Sequence, residues 1–316
     1  MKITAVVRTH NRKDFLKECL SSISIQTHPD WEVLIFDDGG DELNYKIYRD
    51  FKKAHLDKRV VYLTSVTNFD FYKKSWTYSI NISEGDIILR IDDDDFFHED
   101  SFSSISDVYH SNPSLDFSFG SSAAFSGKDK KILDLFYNTA PVEHKTTSAW
   151  GPYVYPVEKH WMWFANFYQE EVPFTSIIHA SRKNIMTVFH PYAMRKNSLL
   201  KCSIIKDPTS NFFDDLEFIS SLEYMGLNYA ALKKILIFCR TDHQERLNNN
   251  SKSDLPGECT RVRELVDLIR PDNFSPSITE IPSGKISIEE AQDIFDKTIL
   301  KIKFKQEEIF ENQDLN

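Results

Sequence analysis

The chain has only four cysteines, Cys19, Cys202, Cys239 and Cys259, and no two of them share a paired spacing. Scattered single thiols exclude a disulfide framework and read as the reduced cysteines of a cytoplasmic protein. Glycine is scarce, at 9 residues. Neither common glycine-rich phosphate loop is present, so dinucleotide and P-loop readings lack their defining element. No window reaches the roughly 18 continuous apolar residues that span a bilayer. The start, Met1 to Val7, turns polar too early for a secretory signal, and the expectation is a soluble protein. A basic excess is missing too: 38 Lys and Arg against 48 Asp and Glu leave a net charge of −10. That excludes a protein that lives on a nucleic-acid backbone. It does not exclude an anionic small ligand, because a bound cation can invert the local field.

What is present is enough apolar residue, 41% of 316 with 13% aromatic, to bury a sizeable core. Short apolar runs at Ile3 to Val7, Glu32 to Phe36, Val60 to Leu63, Asp86 to Ile91 and Asp116 to Phe119 read as strands. Helical spacing separates them: Phe15, Leu16, Cys19, Leu20 and Ile23, then Leu43 to Ala54, Tyr72 to Ile82 and Glu99 to Tyr109. Strict alternation of strand and helix predicts a parallel sheet with right-handed crossovers. Residues 126–180 are aromatic and proline-punctuated with little periodicity, and read as a long partly ordered loop region with room for an edge strand. Beyond them come a helix near Asp215 to Met225, a strand at Ala230 to Cys239, a polar linker over 244–284 with a helix at Val262 to Ile269, and a charged amphipathic helix at Ile288 to Phe310. This divides the chain into a domain of residues 1–245 (a ligand-binding half, 1–125, and a second half, 126–245) and an extension of residues 246–316.

In open α/β sheets, ligands bind beyond the carboxyl ends of the strands. Three polar clusters fall there: Arg8-Thr9-His10-Asn11-Arg12, Asp37-Asp38-Gly39-Gly40 and Asp92-Asp93-Asp94-Asp95. Carboxylates are hard ligands suited to Mg²⁺ or Mn²⁺, which commonly bridge protein acids to a diphosphate. An acidic run is otherwise a solvated turn or a helix cap. Here a buried strand delivers four carboxylates to one edge, where they repel unless a cation compensates. Asp-Gly is also a hairpin-turn signal, but a helical pattern rather than a strand follows Gly40. A carboxylate there could accept a ring N–H from a pyrimidine, with glycines permitting close approach.

Arg8 to Arg12, Ser22 to Thr27 and Trp31 to Gly39 together resemble the opening of family 2 glycosyltransferases, and Glu84 to Asp95 resembles that family's approach to its DxD motif. The resemblance covers about the first hundred residues. It implies a GT-A fold, a Rossmann-like and mostly parallel sheet flanked by helices, here with a C-terminal helical extension. It also implies a nucleotide-diphosphate sugar donor, UDP by the family's habit, a Mn²⁺ or Mg²⁺ cofactor, and inversion at the anomeric carbon. By that resemblance Asp38 contacts the base beside Thr9 and Asp37, and Asn11, Arg12 and Asp93 join the donor contacts. Asp92 takes the first DxD position near the ribose and metal, and Asp94 the metal-binding one.

Further along, Phe213 to Phe218 resembles the segment holding the family's catalytic base, which places the base at Asp215 with Asp214 as its acidic neighbour. The family's Glu-Asp is Asp-Asp here, which leaves open which carboxylate takes the proton; an acidic helix cap is the plain alternative. Phe238 to His243 resembles the family's closing Tyr-Arg-x-His stretch, so Arg240 could face the diphosphate and His243 the metal. The Arg-Asn pair many relatives carry before the DxD strand is missing; Lys74 or Lys73 could supply its charge, unless that pair is simply solvated.

The aromatic stretch with Trp150, Trp161 and Trp163 reads either as an acceptor surface, since rings stack on the C–H faces of sugars, or as a second small core. The acceptor would be a glycan or glycolipid reached from the cytoplasm, peripheral to the inner membrane face at most. The last helix could touch that surface or pair with a second copy in a homodimer. Two rivals stand beside this reading. A metal-dependent nucleotidyltransferase should show a basic glycine-rich loop after the first strand, which Arg8 to Arg12 is not. A degenerate GT-A module that only binds nucleotide or glycan should have lost Asp92, Asp94 or Asp215, and all three are present.

Overall fold

A computed structural model describes residues 1–40, 42–65, 70–136, 155–157, 160–166, 175–181, 184–188, 192–200, 229–240, 278–281 and 287–311. The first half is an alternation: β1 (Ile3–Thr9), α1 (Lys13–Ser24), β2 (Trp31–Asp37), α2 (Glu42–Ala54), β3 (Arg59–Thr64), α3 (Asp70–Ile82) and β4 (Ile87–Asp92). A two-residue strand β5 (Phe96–Phe97) and helix α4 (Ser101–Ser111) lead to β6 (Phe117–Phe125) and β7 (Ile132–Phe136). Next come β8 (Tyr155–Val157), β9 (His160–Asn166), β10 (Thr175–Ser181), β11 (Asn184–Val188) and β12 (Tyr192–Arg195), then the single-turn helix α5 (Lys196–Leu199). β13 (Tyr229–Arg240), β14 (Ile278–Ile281) and α6 (Ile288–Gln306) close the series, and a π-helical turn, Glu307–Glu311, ends α6.

The main sheet runs β14-β13-β6-β12-β4-β1-β2-β3, with β5 on β13 and β7 on β6. β3, β2, β1 and β4 are mutually parallel, and β12 enters antiparallel between β4 and β6. β1 and β2 are buried along their whole length, as continuous apolar strands of a sheet covered on both faces must be. The chain builds outward from β1 through β2 to β3, then returns to lay β4 on the other side of β1. The order reverses between β1 and β4, so a crevice opens at their carboxyl ends. The expected GT-A-like architecture of a mostly parallel sheet between helices is the one observed.

Two segments differ from the sequence reading. Residues 126–180, read as loop with room for an edge strand, contain β7, β8, β9 and β10; β8 to β11 form a separate antiparallel sheet in the order β11-β10-β9-β8. In β9, His-Trp-Met-Trp-Phe-Ala-Asn, aromatic and apolar residues fill consecutive positions, which leaves no alternation to read. β14 falls in the stretch read as linker; at four residues it is too short to show a period, and it pairs in parallel with β13. The expected helices near 215–225 and 262–269 lie outside the described residues.

The last helix is joined to the main core. Ser287 caps α6 in a reciprocal capping box with Glu290, which satisfies two otherwise orphaned N–H groups. Its buried stripe, Ala291, Phe295, Ile299 and Ile302, packs into a cluster with Phe96, Phe125 and Phe238. The Phe295 ring lies 4.9 Å from Phe125, 5.3 Å from Phe238 and 5.8 Å from Phe96. Phe96 directly follows the four-aspartate run, so this aromatic cluster is the floor on which the acidic turn rests. Leu300 and Phe304 stand exposed on the same helix. No helix among the described residues is long and apolar enough to cross a membrane.

Candidate active site

The three polar clusters meet at the crevice. Parallel pairing sets Arg8 beside Asp92 and Thr9 beside Asp37. Side chains alternate along a strand, so Arg8 and Asp92 share one face, and Thr9 shares the other with Asp93. Arg8 donates from Nε and from a terminal nitrogen to Asp92 Oδ1, at 2.9 and 2.6 Å. Thr9 Oγ1 donates to Asp93 Oδ2 at 2.6 Å. Arg12, from the loop before α1, reaches Asp93 through Nε at 3.2 Å and Asp94 Oδ2 at 3.3 Å.

The acidic run therefore has two arginines set into it. Like charges at one strand end do need compensation, and Arg8 and Arg12 provide it. The aspartates divide by exposure: the side chain of Asp93 is fully buried, Asp94 is 10% exposed and Asp92 33%. Burial, reinforced by Asp94 and Asp92, pushes the Asp93 carboxyl well above the ordinary carboxylate range against the pull of Arg12 and Thr9. Burial works against the charge of Arg12, but Asp93, Asp94 and Asp92 outweigh it and hold the guanidinium more firmly protonated than usual. Asp93 thus ties the end of β4 to the end of β1, while Asp92 and Asp94 stand nearer the crevice.

At the end of β2, Asp38 is anchored rather than loose. Its backbone N–H donates to the Thr9 carbonyl at 2.9 Å, and its Oδ1 accepts from Ser65 Oγ at 2.6 Å. Its carbonyl meets Nδ1 of His10. Asp37 is fully buried and accepts from the Tyr62 hydroxyl. Gly39 and Gly40 both take positive φ, 124° and 68°, so the chain leaves the crevice in a backbone conformation that side chains rarely adopt. Asn11, exposed, also has positive φ, at 51°, a conformation asparagine tolerates better than most residues.

The remaining candidates are placed as follows. Arg240 ends β13 and lies against the acidic turn: its backbone N–H donates to Asp95 Oδ1 at 3.0 Å, and its Nε to the Asp94 carbonyl at 3.2 Å. Lys74 lies in α3, and Trp161 and Trp163 lie in β9, opposite Ala180 and Ile178. Asp214, Asp215, His243 and Trp150 lie outside the described residues. The sequence reading did not single out Arg8, Ser65, Tyr62 or Glu18. Arg8 alone left a signal, a charge at the end of an apolar run; the others become visible only when β2, β3, α1 and β13 are assembled.

Asp92 and Asp94 present oxygen donors of the right hardness for Mg²⁺ or Mn²⁺. Among the described residues no three or more acids, cysteines or imidazoles gather into a group that could hold a metal ion by itself. Two carboxylates with the remaining positions left to diphosphate and water fit the way such small cations are usually held.

Comparison with known proteins agrees with this fold. The model of the family described as Glycosyl transferase family 2 matches residues 4–203. The chain is 32% identical over 98 residues to a poly(ribitol-phosphate) beta-glucosyltransferase of Bacillus spizizenii, a match covering 30% of this chain and 15% of that protein. It is 28% identical over 99 residues to glycosyltransferase GlyA of Streptococcus pneumoniae serotype 4, covering 31% and 14%. It thus spans only a small part of the length of these relatives. Among solved structures, Staphylococcus aureus TarS 1–349 in complex with UDP-GlcNAc superposes with a TM-score of 0.54 at 16% identity, over 95% of this chain and 72% of that one. The mannosyltransferase PcManGT of Pyrobaculum calidifontis, solved with GDP-Man and Mn²⁺, gives 0.50 at 10% identity, over 96% and 73%. These two likenesses are of fold. With the family model covering more than half of the chain, and its opening and DxD-like segments lying within the match, the protein belongs to glycosyl transferase family 2.

Proposed function

We propose that the chain transfers a sugar, with inversion, from a nucleotide-diphosphate donor to a hydroxyl of a glycan or glycolipid. One observation carries this reading: Asp38, after β2, and Asp92 and Asp94, at the end of β4, come to one crevice at the order reversal of the sheet. The base would meet Asp38, which Ser65 already holds in place. Asp92 and Asp94 would hold a divalent cation, whose charge would offset that developing on the leaving diphosphate. The acceptor hydroxyl needs a base on the opposite side, a role the family pattern gives to Asp215. The aromatic segment with Trp161 and Trp163 would supply an acceptor surface, since ring faces suit the C–H faces of sugars.

The test is a thermal-shift screen of UDP, GDP, dTDP and CMP, each with Mn²⁺ and with EDTA. UDP and GDP come first because TarS and PcManGT were solved with UDP-GlcNAc and GDP-Man. A ligand at a hundredfold excess over its Kd stabilises the native state by about 2.7 kcal/mol. The expected result is a shift for one nucleotide that is large with Mn²⁺ and small in EDTA. No shift for any of the four removes the donor reading and leaves a glycan-binding module.

Asp38→Ala gives a second readout. A hydrogen bond to a charged group contributes about 1.5–3 kcal/mol, so Kd for the nucleotide should rise roughly ten- to a hundredfold. The rise should be the same with and without metal, because Asp38 acts on the base. Calorimetric titration measures it, and an unchanged Kd would move the base elsewhere.

A further inference from the structure

We infer that Arg240 is a positioning residue: it sets the shape of the acidic turn and does not grip the donor. This rests on the reading above, in which Asp92 and Asp94 serve a nucleotide diphosphate. Family resemblance alone had pointed Arg240 toward the diphosphate.

Arg240 is 4% exposed at the end of β13. Its backbone N–H and its Nε go to the side chain of Asp95 and the carbonyl of Asp94. A terminal nitrogen pairs with Glu18 of α1. The guanidinium carbon also lies over the rings of Phe15 and of Phe125, 4.7 Å from each ring centre. Two aromatic rings, a backbone carbonyl and a carboxylate therefore already engage the cation. To reach a diphosphate it would have to leave two aromatic faces and strip Glu18 of its nearer partner in a largely dry setting, where weakening an ion pair is costly. Lys130, 3.7 Å from Glu18, is too distant to replace a hydrogen-bonded guanidinium.

The turn has little other freedom. On one side Asp92 belongs to β4. On the other, Phe96 and Phe97 pair antiparallel with Phe238 and Ile237 of β13, and His98 N donates to the Leu236 carbonyl at 3.0 Å. Arg240 crosses the gap between these two fixed ends and ties down Asp94 and Asp95. The direction of the Asp94 carboxylate therefore depends on β13, α1 and β6 together. A planar fork can bond the carbonyl, pair with Glu18 and lie against two rings at once; a lysine keeps the charge and loses that geometry.

The test compares wild type, Arg240→Lys and Glu18→Gln. Kd for UDP (GDP, if GDP is what stabilises the wild type) is measured by calorimetry across a MnCl₂ series and in EDTA, with melting temperature recorded alongside. Groups that orient metal ligands typically change metal affinity by about 10–100-fold when removed. The expected result is a rise of roughly that size in the Mn²⁺ concentration needed for half-maximal nucleotide binding in Arg240→Lys. Glu18→Gln should show a rise in the same direction at the lower end of the range, and Kd in EDTA should be unchanged in both. If Arg240 grips the diphosphate, Arg240→Lys weakens binding in EDTA as well, and Glu18→Gln, by freeing the guanidinium, leaves binding unchanged or tightens it. If the pair serves stability alone, both variants melt earlier yet keep the wild-type Mn²⁺ requirement. Either outcome overturns the inference, and Glu18→Gln decides it even if Arg240→Lys does not fold. A wild type that binds neither nucleotide removes the donor reading and the inference together; a wild type that binds, with unaffected variants, removes the inference alone.

Discussion

Asp94→Asn is expected to stop sugar transfer while leaving the protein folded. The amide keeps the shape of the carboxylate. Arg12, which pairs with it, also pairs with the fully buried Asp93, so the substitution does not orphan that guanidinium. What is lost is one of the two oxygen ligands proposed for the cation. Lewis-acid help to a leaving phosphoryl group amounts to several kcal/mol; at about 4 kcal/mol, the loss in kcat/KM is roughly a thousandfold. Nucleotide binding should lose its dependence on Mn²⁺ in parallel, a readout that needs no acceptor. Asp93→Ala should do the reverse, striking the fold first. Thr9 loses its partner and Arg12 keeps only the longer contact to Asp94. Breaking a buried ion pair costs about 3–5 kcal/mol, and the remaining contact puts the expected loss near 3 kcal/mol, measured by urea unfolding. If Asp94→Asn keeps both turnover and metal dependence, Asp94 does not hold the cation.

The contrast between these neighbouring acids was not legible in the sequence, although the meeting of the polar clusters at one sheet edge was. The apolar runs of β1, β2 and β4 are long enough to read as strands, and their polar ends point to a shared edge without any knowledge of pairing. Which aspartate faces the crevice depends on register and turn geometry. Arg8 meets Asp92 because β4 lies directly beside β1, a neighbour relation the order of residues does not state. Glu18 belongs to the polar part of α1 and becomes functional only through Arg240, 222 positions later. Glu32 is a similar case at the opposite end of the sheet: a fully buried acid inside a strand, satisfied by Thr4, Arg59 and the N–H groups of Glu84 and Gly85. Its partners come from three other segments, so the sequence shows only an acid interrupting an apolar run.

The repulsion argument illustrates the same division. Four carboxylates at the end of a buried strand must be compensated, and the sequence alone supports that step. It leaves the compensating charge open, and the fold supplies Arg8 and Arg12. In the proposed reaction these arginines make the acidic turn tolerable before the donor arrives, so the nucleotide and its cation meet a site already formed. Preformed charge of this kind stabilises a developing charge without reorganisation at the moment of reaction.

Asp215→Asn is expected to lower kcat about 10²–10⁴-fold, the usual share of a general base, with no change in nucleotide affinity or its Mn²⁺ requirement. The amide keeps size and hydrogen-bonding capacity but cannot accept a proton from the acceptor hydroxyl. In the wild type the base must be ionised, so the rate falls as pH drops through its pKa; the variant should lose that acid limb. Asp214→Asn is the matched control, because the Asp-Asp pair stands where relatives carry Glu-Asp. If transfer survives Asp215→Asn and fails with Asp214→Asn, the proton goes to Asp214 and the rest of the mechanism stands. If both variants turn over normally, the base lies elsewhere and the likeness of Phe213 to Phe218 to the family's catalytic segment is one of sequence alone. If both lose nucleotide binding as well, the two acids act on the donor, and attack on the anomeric carbon must draw its base from another part of the chain.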